Sequence, residues 1–147
     1  MPLLRPPFYA QERDSSCLAA CLRMVLAAYG VEHSEKHLRA LCEWTPQRSI
    51  SSTAAVAAAR ALGFIHSREE YDLRLHDLRD TLRSGLYPIV GVDLRAYGQL
   101  GQHAQVLASL TSRGVRINDP LLGQLTTGLL VFEQAWSESD FLTITVE

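Results

Sequence analysis

The sequence predicts an α+β fold in which an N-terminal helical half packs on one face of a C-terminal antiparallel sheet. Apolar residues follow a helical period through most of residues 17–82, whereas short apolar runs bounded by turn residues prevail from residue 87 onward. Helices first and strands afterwards are typical of this class. The 147 residues are sufficient for one domain, residues 1–147, with a single hydrophobic core.

The helices are indicated by their caps and stops. A serine side chain can accept a free N–H group at a helix start, and glycine or proline ends a helix. Residues 1–11, which contain three prolines, are expected to run extended before the first helix. The predicted helices run from Ser15 or Ser16 to Gly30, from Ser34 to Trp44, from Ser51 or Ser52 to Gly63, and around residues 75–82.

The strands are indicated by runs of apolar and β-branched residues between short turns. Turns at residues 111–113, 119–120 and 122–123 are so short that they join antiparallel neighbours. One helical turn, residues 132–136, precedes the last strand. The predicted strands are residues 64–71 at an edge, 87–94, 104–110, 114–118, 124–127 and 141–146.

Composition and charge exclude several classes of function. A formal net charge of -2 gives no broad attraction to nucleic acid. No apolar run approaches the roughly 20 residues that span a bilayer, and the N-terminus has no signal-peptide pattern. Three cysteines in the first third suit a reducing compartment better than a disulfide framework. We therefore expect a cytoplasmic protein without direct membrane insertion and without a nucleic-acid partner.

Cys17 is the candidate nucleophile. It stands where the polar residues 11–16 meet the first helical pattern, and a helix start stabilises a thiolate through its partial positive charge and free N–H groups. Gln11, six residues upstream, can offer a side-chain N–H group to an oxyanion. Cys21 and Cys42 lie within helical patterns and are expected to be small core residues.

His103 and Asp119 are the candidates for the base and for the group that orients it. His103 follows the glycine-rich turn 98–102 at the start of an apolar strand, where its ring can project into a cleft. Asp119 closes the next hairpin, and two adjacent antiparallel strands can bring it beside His103. The other four histidines lie among charged or polar residues and are expected to be solvated: His33, His37, His66 and His76.

One cysteine and histidine spacing resembles that of a zinc site. Cys17 and Cys21 are followed by His33 and His37 at the separations of a Cys₂His₂ finger. A finger needs its cysteines on a hairpin, whereas these two share a helical pattern that ends at Gly30 before the histidines. We therefore predict no metal site, and the chemistry expected of Cys17 needs no organic cofactor.

A set of short motifs follows in a characteristic order. They are Gln11, CLAACLRM at residues 17–24, YG at 29–30, ARALGF at 59–64, PIV at 88–90, GQH at 101–103, DPLLG at 119–123 and FEQAW at 132–136. As an ordered set, over nearly the whole chain, they resemble the papain-like, bacteriocin-processing cysteine peptidases that form the N-terminal domain of peptidase-containing bacterial exporters.

The resemblance implies a papain-like fold and a cysteine peptidase. We expect this peptidase to stand alone, because the sequence lacks the membrane and ATPase domains that usually follow in the family. Such an enzyme would cleave a leader or precursor peptide after small residues, of the Gly-Gly type, through an acyl-enzyme. The implied roles are Cys17 as nucleophile, His103 as general base and then acid, Asp119 as orienting residue, and Gln11 with the Cys17 N–H group as oxyanion hole. The peptide would be the substrate, and export coupled to its cleavage would require a separate membrane exporter.

Two departures from the family pattern keep alternatives open. Ser16 and Leu18 flank Cys17 where the family has Asp and Gly, and Leu18 adds bulk beside the sulfur. The same scaffold could be a module that binds a leader peptide or an exporter without cleaving it. It could also be a deamidase or a toxin-like effector that uses the same triad for another acyl transfer.

Overall fold

The computed structural model describes residues 3–99 and 101–147. Met1, Pro2 and Leu100, which belong to the predicted extended segment and to the predicted turn before His103, lie outside the described residues. The helices are α1 (Cys17–Ala28), α2 (Glu35–Leu41), α3 (Ser52–Ala61), α4 (Leu75–Arg83) and α5 (Leu129–Ser137). The strands are β1 (Arg68–Glu70), β2 (Ile89–Asp93), β3 (Gln102–Thr111), β4 (Gly114–Asp119), β5 (Gly123–Thr127) and β6 (Thr143–Thr145), and a 3₁₀ helix, Leu94–Tyr97, follows β2.

The six strands form one sheet in the order β1-β6-β2-β3-β4-β5, and every neighbouring pair is antiparallel. The predicted α+β fold is confirmed, with its elements in the predicted order. The predicted strand 64–71 shortens to the three residues of β1, which lie at the sheet edge as expected. The predicted helical turn 132–136 is part of the longer helix α5.

The helix starts use serine as the sequence predicts, with one exception. The Ser34 hydroxyl accepts the N–H group of His37 at 3.0 Å, and the Ser51 hydroxyl accepts that of Ala54 at 3.1 Å. The prediction that Ser15 or Ser16 caps α1 is wrong. Ser16 makes no capping bond, and the Ser15 hydroxyl accepts the indole N–H group of Trp44. Both hydroxyls instead hold the loop that precedes α1.

The core is divided between the two faces of the sheet. Helices α1, α2 and α3 pack on one face, as predicted, where α1 is buried along nearly its whole length. Helices α4 and α5 cover the opposite face through Leu78, Phe132 and Trp136, so the prediction that the whole helical half packs on one face is wrong for α4. Strand β2 contacts both layers, because Ile89 points to the first and Val90 to the second. The sheet is therefore buried on both sides at its centre.

The register of β3 positions the candidate base. His103 pairs with Val92 on β2, and further along the strand Val106 pairs with Asn118 on β4. Because β3 and β4 are antiparallel, the end of β4 lies beside the beginning of β3. Asp119, the last residue of β4, is thereby brought towards His103.

The N-terminal segment connects the helical layer to the β4–β5 turn. The N–H group of Leu4 donates to the carbonyl of Ala28 at 3.1 Å, and the Asn118 side chain donates to the carbonyl of Pro6 at 3.2 Å. The N–H group of Gln11 donates to the carbonyl of Pro120 at 2.9 Å. Within the described ranges, none of the helices is both long enough and apolar enough to cross a membrane.

Candidate active site

His103 and Asp119 form a short, buried pair. The Nε2 atom of His103 lies 2.6 Å from Oδ1 of Asp119, and Asp119 has no solvent exposure. His103 is the second residue of β3 and Asp119 is the last residue of β4, and the sheet register brings the two side chains together. The distance is short even for a charge-assisted N–H···O hydrogen bond, which typically spans about 2.7–2.9 Å.

The Asp119 carboxylate is held by three further donors. Its Oδ1 atom accepts the N–H groups of Leu121 at 2.8 Å and Leu122 at 2.9 Å, which close the turn to β5. Its Oδ2 atom accepts the side-chain N–H of the fully buried Gln105 at 2.8 Å. A carboxylate with four donors is fixed in position and stabilised in its ionised form.

The charges of the pair follow from these contacts. Burial raises the pKa of Asp119, but hydrogen bonds from His103, Leu122 and Gln105 outweigh it and leave that pKa below its usual value. Burial lowers the pKa of His103, but its hydrogen bond to Asp119 and its interactions with Cys17 raise that pKa to about 9. At neutral pH the pair is therefore an imidazolium and a carboxylate.

Cys17 is the first residue of α1 and lines the same pocket as His103. All three cysteines lie in the described part of the chain, and Cys17 alone among them is partly exposed. Burial raises the pKa of Cys42 to about 11 and raises that of Cys21 well above its ordinary value. The expectation that Cys21 and Cys42 are core residues is confirmed by their burial. A thiol at a helix start beside an imidazolium is the arrangement that favours a reactive thiolate.

The side-chain donors of Gln11 are bonded to the loop that precedes α1. Its amide group donates to the carbonyls of Arg13 at 2.8 Å and Asp14 at 3.0 Å. Its carbonyl oxygen is buried without a hydrogen-bond partner among the described residues. An amide has two N–H donors, so both are used by this loop. The role of Gln11 in an oxyanion hole stays a prediction that requires the side chain to turn.

A buried carboxylate secures the loop before Cys17. Glu35, which is fully buried on α2, accepts the N–H group of Glu12 at 2.9 Å and lies 3.2 Å from the Ser16 hydroxyl. The guanidinium of Arg39 lies 2.9 Å from the same carboxylate and 3.2 Å from that of Glu12. Ser16, directly before Cys17, is thus held by the second helix.

Gln105 and Glu35 are the residues whose roles sequence reasoning did not assign. A signal existed for Gln105, because it lies two residues after His103 on a strand, and side chains two apart share one face. Glu35 offered no comparable signal, since its partners Glu12 and Ser16 lie 23 and 19 residues away in a loop without periodicity.

The cysteines and histidines with finger-like spacing do not converge. His33 and His37 approach each other, with their Nδ1 atoms 3.3 Å apart, on the surface around α2. Across residues 3–99 and 101–147, no group of three or more His, Cys, Asp or Glu side chains is arranged to hold a metal ion.

One protein family matches nearly the whole chain. The model of the family described as "Peptidase C39 family" matches residues 5–146. No curated protein matches the sequence.

Solved structures with the same fold are peptidase domains. The chain is similar to a double glycine motif protease from an AMS/PCAT transporter in complex with its leader peptide, with a TM-score of 0.74 and 19% identity over 99% of this chain and 95% of that one. It is similar to the peptidase domain of Streptococcus ComA, a bifunctional ABC transporter, with a TM-score of 0.74 and 23% identity over 96% of each chain. A third structure, described as a C39-like peptidase from Bacillus anthracis, gives a TM-score of 0.80 and 16% identity over 99% of this chain and 97% of that one. These likenesses confirm the papain-like peptidase fold.

Proposed function

Because the chain belongs to the peptidase C39 family of papain-like cysteine peptidases, we propose that it hydrolyses a leader or precursor peptide after a small residue, with Cys17 as nucleophile. The observation that carries this proposal is that His103, which lies 2.6 Å from the buried Asp119, lines the same pocket as Cys17. The reaction needs no metal or organic cofactor, because a thiolate, an acid and a base suffice for acyl transfer.

The first half of the reaction forms an acyl-enzyme. The Cys17 thiolate attacks the carbonyl carbon of the scissile bond, and the carbonyl oxygen becomes an oxyanion. As the carbon–nitrogen bond breaks, the imidazolium of His103 gives its proton to the departing amine. Asp119 keeps the Nε2 side of the ring occupied at 2.6 Å, so Nδ1 is the nitrogen that exchanges a proton with sulfur and leaving group.

The second half returns the enzyme to its starting state. The neutral ring of His103 takes a proton from water, the resulting hydroxide attacks the thioester, and the carbon–sulfur bond breaks to give a carboxylic acid and the thiolate. The oxyanion formed in each half is stabilised by the Cys17 N–H group at the start of α1 and by Gln11, provided its amide leaves the carbonyls of Arg13 and Asp14.

The leader-peptide substrate is proposed from the family and its neighbours. One solved neighbour is a double glycine motif protease in complex with a leader peptide, and another is the peptidase domain of an ABC transporter. By analogy, this chain acts in the cytoplasm on a precursor with small residues at the cleavage site, and a membrane exporter would carry the product.

The experiment is a cleavage assay on precursor peptides with Gly-Gly, Gly-Ala or Ala-Gly junctions, read by mass spectrometry. Wild type is expected to cut after the small residue, and Cys17→Ala is expected to lose all cleavage. Cys42→Ala is the matched control, because it removes a buried thiol outside the pocket. Cleavage by Cys17→Ala equal to wild type would contradict the proposal.

The position of Gln11 favours one other candidate, a module that binds the leader peptide without cleaving it. With both amide donors used by the loop, the oxyanion has one fewer donor, and losing one such donor typically costs about 10²–10³ in rate. This candidate predicts that wild type and Cys17→Ala bind the precursor equally and that neither releases product.

A further inference from the structure

A pocket of about 150 Å³ opens beside Cys17 and His103. It is smaller than the roughly 300 Å³ at which sites for whole small molecules begin. Apolar cavities of about this size hold a ligand as large as benzene. The pocket therefore has room for one medium-sized side chain.

The walls of the pocket are mainly aliphatic. They are formed by Ile50 before α3, Ile89 on β2, Leu142 before β6 and Ile144 on β6. Of the described residues that line it, none is Asp, Glu, Lys or Arg. The polar residues at the pocket are uncharged apart from His103, and the hydroxyl of one of them, Ser139, is bonded to another, Gln102. Such walls favour an apolar occupant and offer no partner for a charged one.

Two small residues on adjacent strands also line the pocket. Gly91 on β2 pairs directly with Ala104 on β3, and both line the pocket. Gly91 does not have the positive φ that would require glycine. A Cβ atom at residue 91 would lie 3.0 Å from Cδ2 of Leu142, so the glycine lets the Leu142 wall pack directly against β2, and a larger residue would displace that wall. Glycine at residue 91 thus serves the close approach of the Leu142 wall rather than the backbone conformation.

We propose that this pocket, bounded by Ile89, Gly91, Ala104, Leu142 and Ile144 and called the Ile89 pocket, binds an aliphatic side chain of the substrate within two residues of the scissile bond. An extended peptide advances about 3.3 Å per residue, so a pocket that borders both reacting groups is reached from a residue that near. The inference rests on the proposed function and specifies its substrate: a small residue at the cleavage point with an aliphatic neighbour, rather than a Gly-Gly pair alone.

The test is a set of internally quenched peptides with a core of four glycines around the cleavage point. Each core position is replaced in turn by Leu or by Lys. Because one methylene in an apolar pocket changes kcat/KM about 10–200-fold, Leu at one position is expected to raise kcat/KM by about 10²-fold or more over Gly. Lys at that position is expected to give no gain. Equal kcat/KM for the all-glycine core and every Leu core would overturn the proposal.

Two variants enlarge residues that line the pocket on the adjacent strands β2 and β3. Gly91→Val and Ala104→Val are expected to lower the preference for Leu at least tenfold while the all-glycine core is still cleaved. Leu130→Ala is the control, because Leu130 is 81% exposed on α5 and does not line the pocket. Ala104→Val keeps the test valid if Gly91→Val does not fold. An unchanged preference for Leu in a folded pocket variant would contradict the assignment.

Binding to Cys17→Ala separates this inference from the proposed function. If wild type cleaves none of the peptides, the peptidase proposal fails. The binding of both peptides to Cys17→Ala is then measured by fluorescence anisotropy. The Ile89 pocket would still be supported if the Leu peptide binds more tightly than the all-glycine peptide and if this difference is lost when Ala104→Val is added to Cys17→Ala. Equal binding of both peptides would overturn it.

Discussion

The Nε2 atom of His103 lies 2.6 Å from Oδ1 of Asp119, and that same oxygen accepts the backbone N–H groups of Leu121 and Leu122. Because Oδ1 of Asp119 accepts two backbone N–H groups, this oxygen is an acceptor and carries no hydrogen. The hydrogen of the bond between His103 and Asp119 must therefore be on Nε2. The ring is thus oriented by the turn between β4 and β5 as well as by charge. This leaves Nδ1 as the nitrogen for proton exchange with Cys17.

The pH dependence of catalysis is expected to follow His103. Its pKa is raised from 6.5 to about 9, so the imidazolium present below pH 6.5 persists to about pH 9 and is lost above it. Because the leaving amine takes its proton from this ring in the proposed mechanism, kcat/KM is predicted to fall as the pH rises through about 9. Measurement of kcat/KM from pH 5 to 11 would locate this alkaline limb of the pH profile. A constant kcat/KM up to pH 11 would exclude His103 as the acid.

Asp119→Asn is expected to shift that limb to lower pH. The new amide can keep its oxygen on Leu121 and Leu122, while Gln105 turns its unpartnered carbonyl towards the new N–H group. The tautomer is preserved and the negative charge is lost, so kcat/KM at pH 7 should fall about 10-fold to 10²-fold, less than the roughly 10⁴-fold seen where the tautomer is also lost. A limb that stays at the wild-type pH would show that the charge of Asp119 does not act on His103.

Gln11→Ala is expected to slow peptide hydrolysis by about 10²–10³ if Gln11 supplies an oxyanion donor. Alkylation of Cys17 by iodoacetamide forms no oxyanion, so its rate should be unchanged in the same variant. Comparison of the two rates separates stabilisation of the oxyanion from activation of the thiol. Hydrolysis at the wild-type rate would mean that the Gln11 amide stays on the carbonyls of Arg13 and Asp14 during turnover.

Glu35→Ala is expected to lower the free energy of unfolding by about 3 kcal/mol. The largely buried Arg39 would keep only Glu12 as a carboxylate partner, and the loop before Cys17 would lose its contacts with Glu35. Glu70→Ala is the control. Its pair with Arg68 spans 3.1 Å with both side chains about two-fifths exposed, and such pairs contribute about 1 kcal/mol or less. Urea unfolding of the three proteins tests this, and equal losses in both variants would contradict the structural role of Glu35.

The parts of the fold that depend on local rules could be predicted from the sequence. Ser34 and Ser51 cap their helices, and short turns make the sheet antiparallel. The placement of α4 and α5 on the second face could not be read from the helices, since a helix pattern indicates its own apolar side but not its partner. The continuous apolar run of β2, buried at every residue, was the available sign that both faces are covered.

The site shows the same division. The proximity of His103 and Asp119 follows from two neighbouring strands and a short turn, so spacing alone predicts it. The contacts of Ser16 do not follow from local rules, because its hydroxyl forms hydrogen bonds with Arg13 and Glu35 rather than with the helix that it precedes. Contacts between a loop and a distant helix depend on tertiary packing, which no local pattern encodes.

The central claim, that Cys17 is a thiol activated by His103, is tested most directly by alkylation of the native protein with iodoacetamide between pH 5 and 9, with adducts located by mass spectrometry. The account predicts modification at Cys17 that is faster than that of a free thiol below pH 7 and that becomes slow in His103→Ala, while the buried Cys21 and Cys42 stay unmodified. Reaction of Cys17 at the rate of a free thiol at every pH, in wild type and His103→Ala alike, would contradict it.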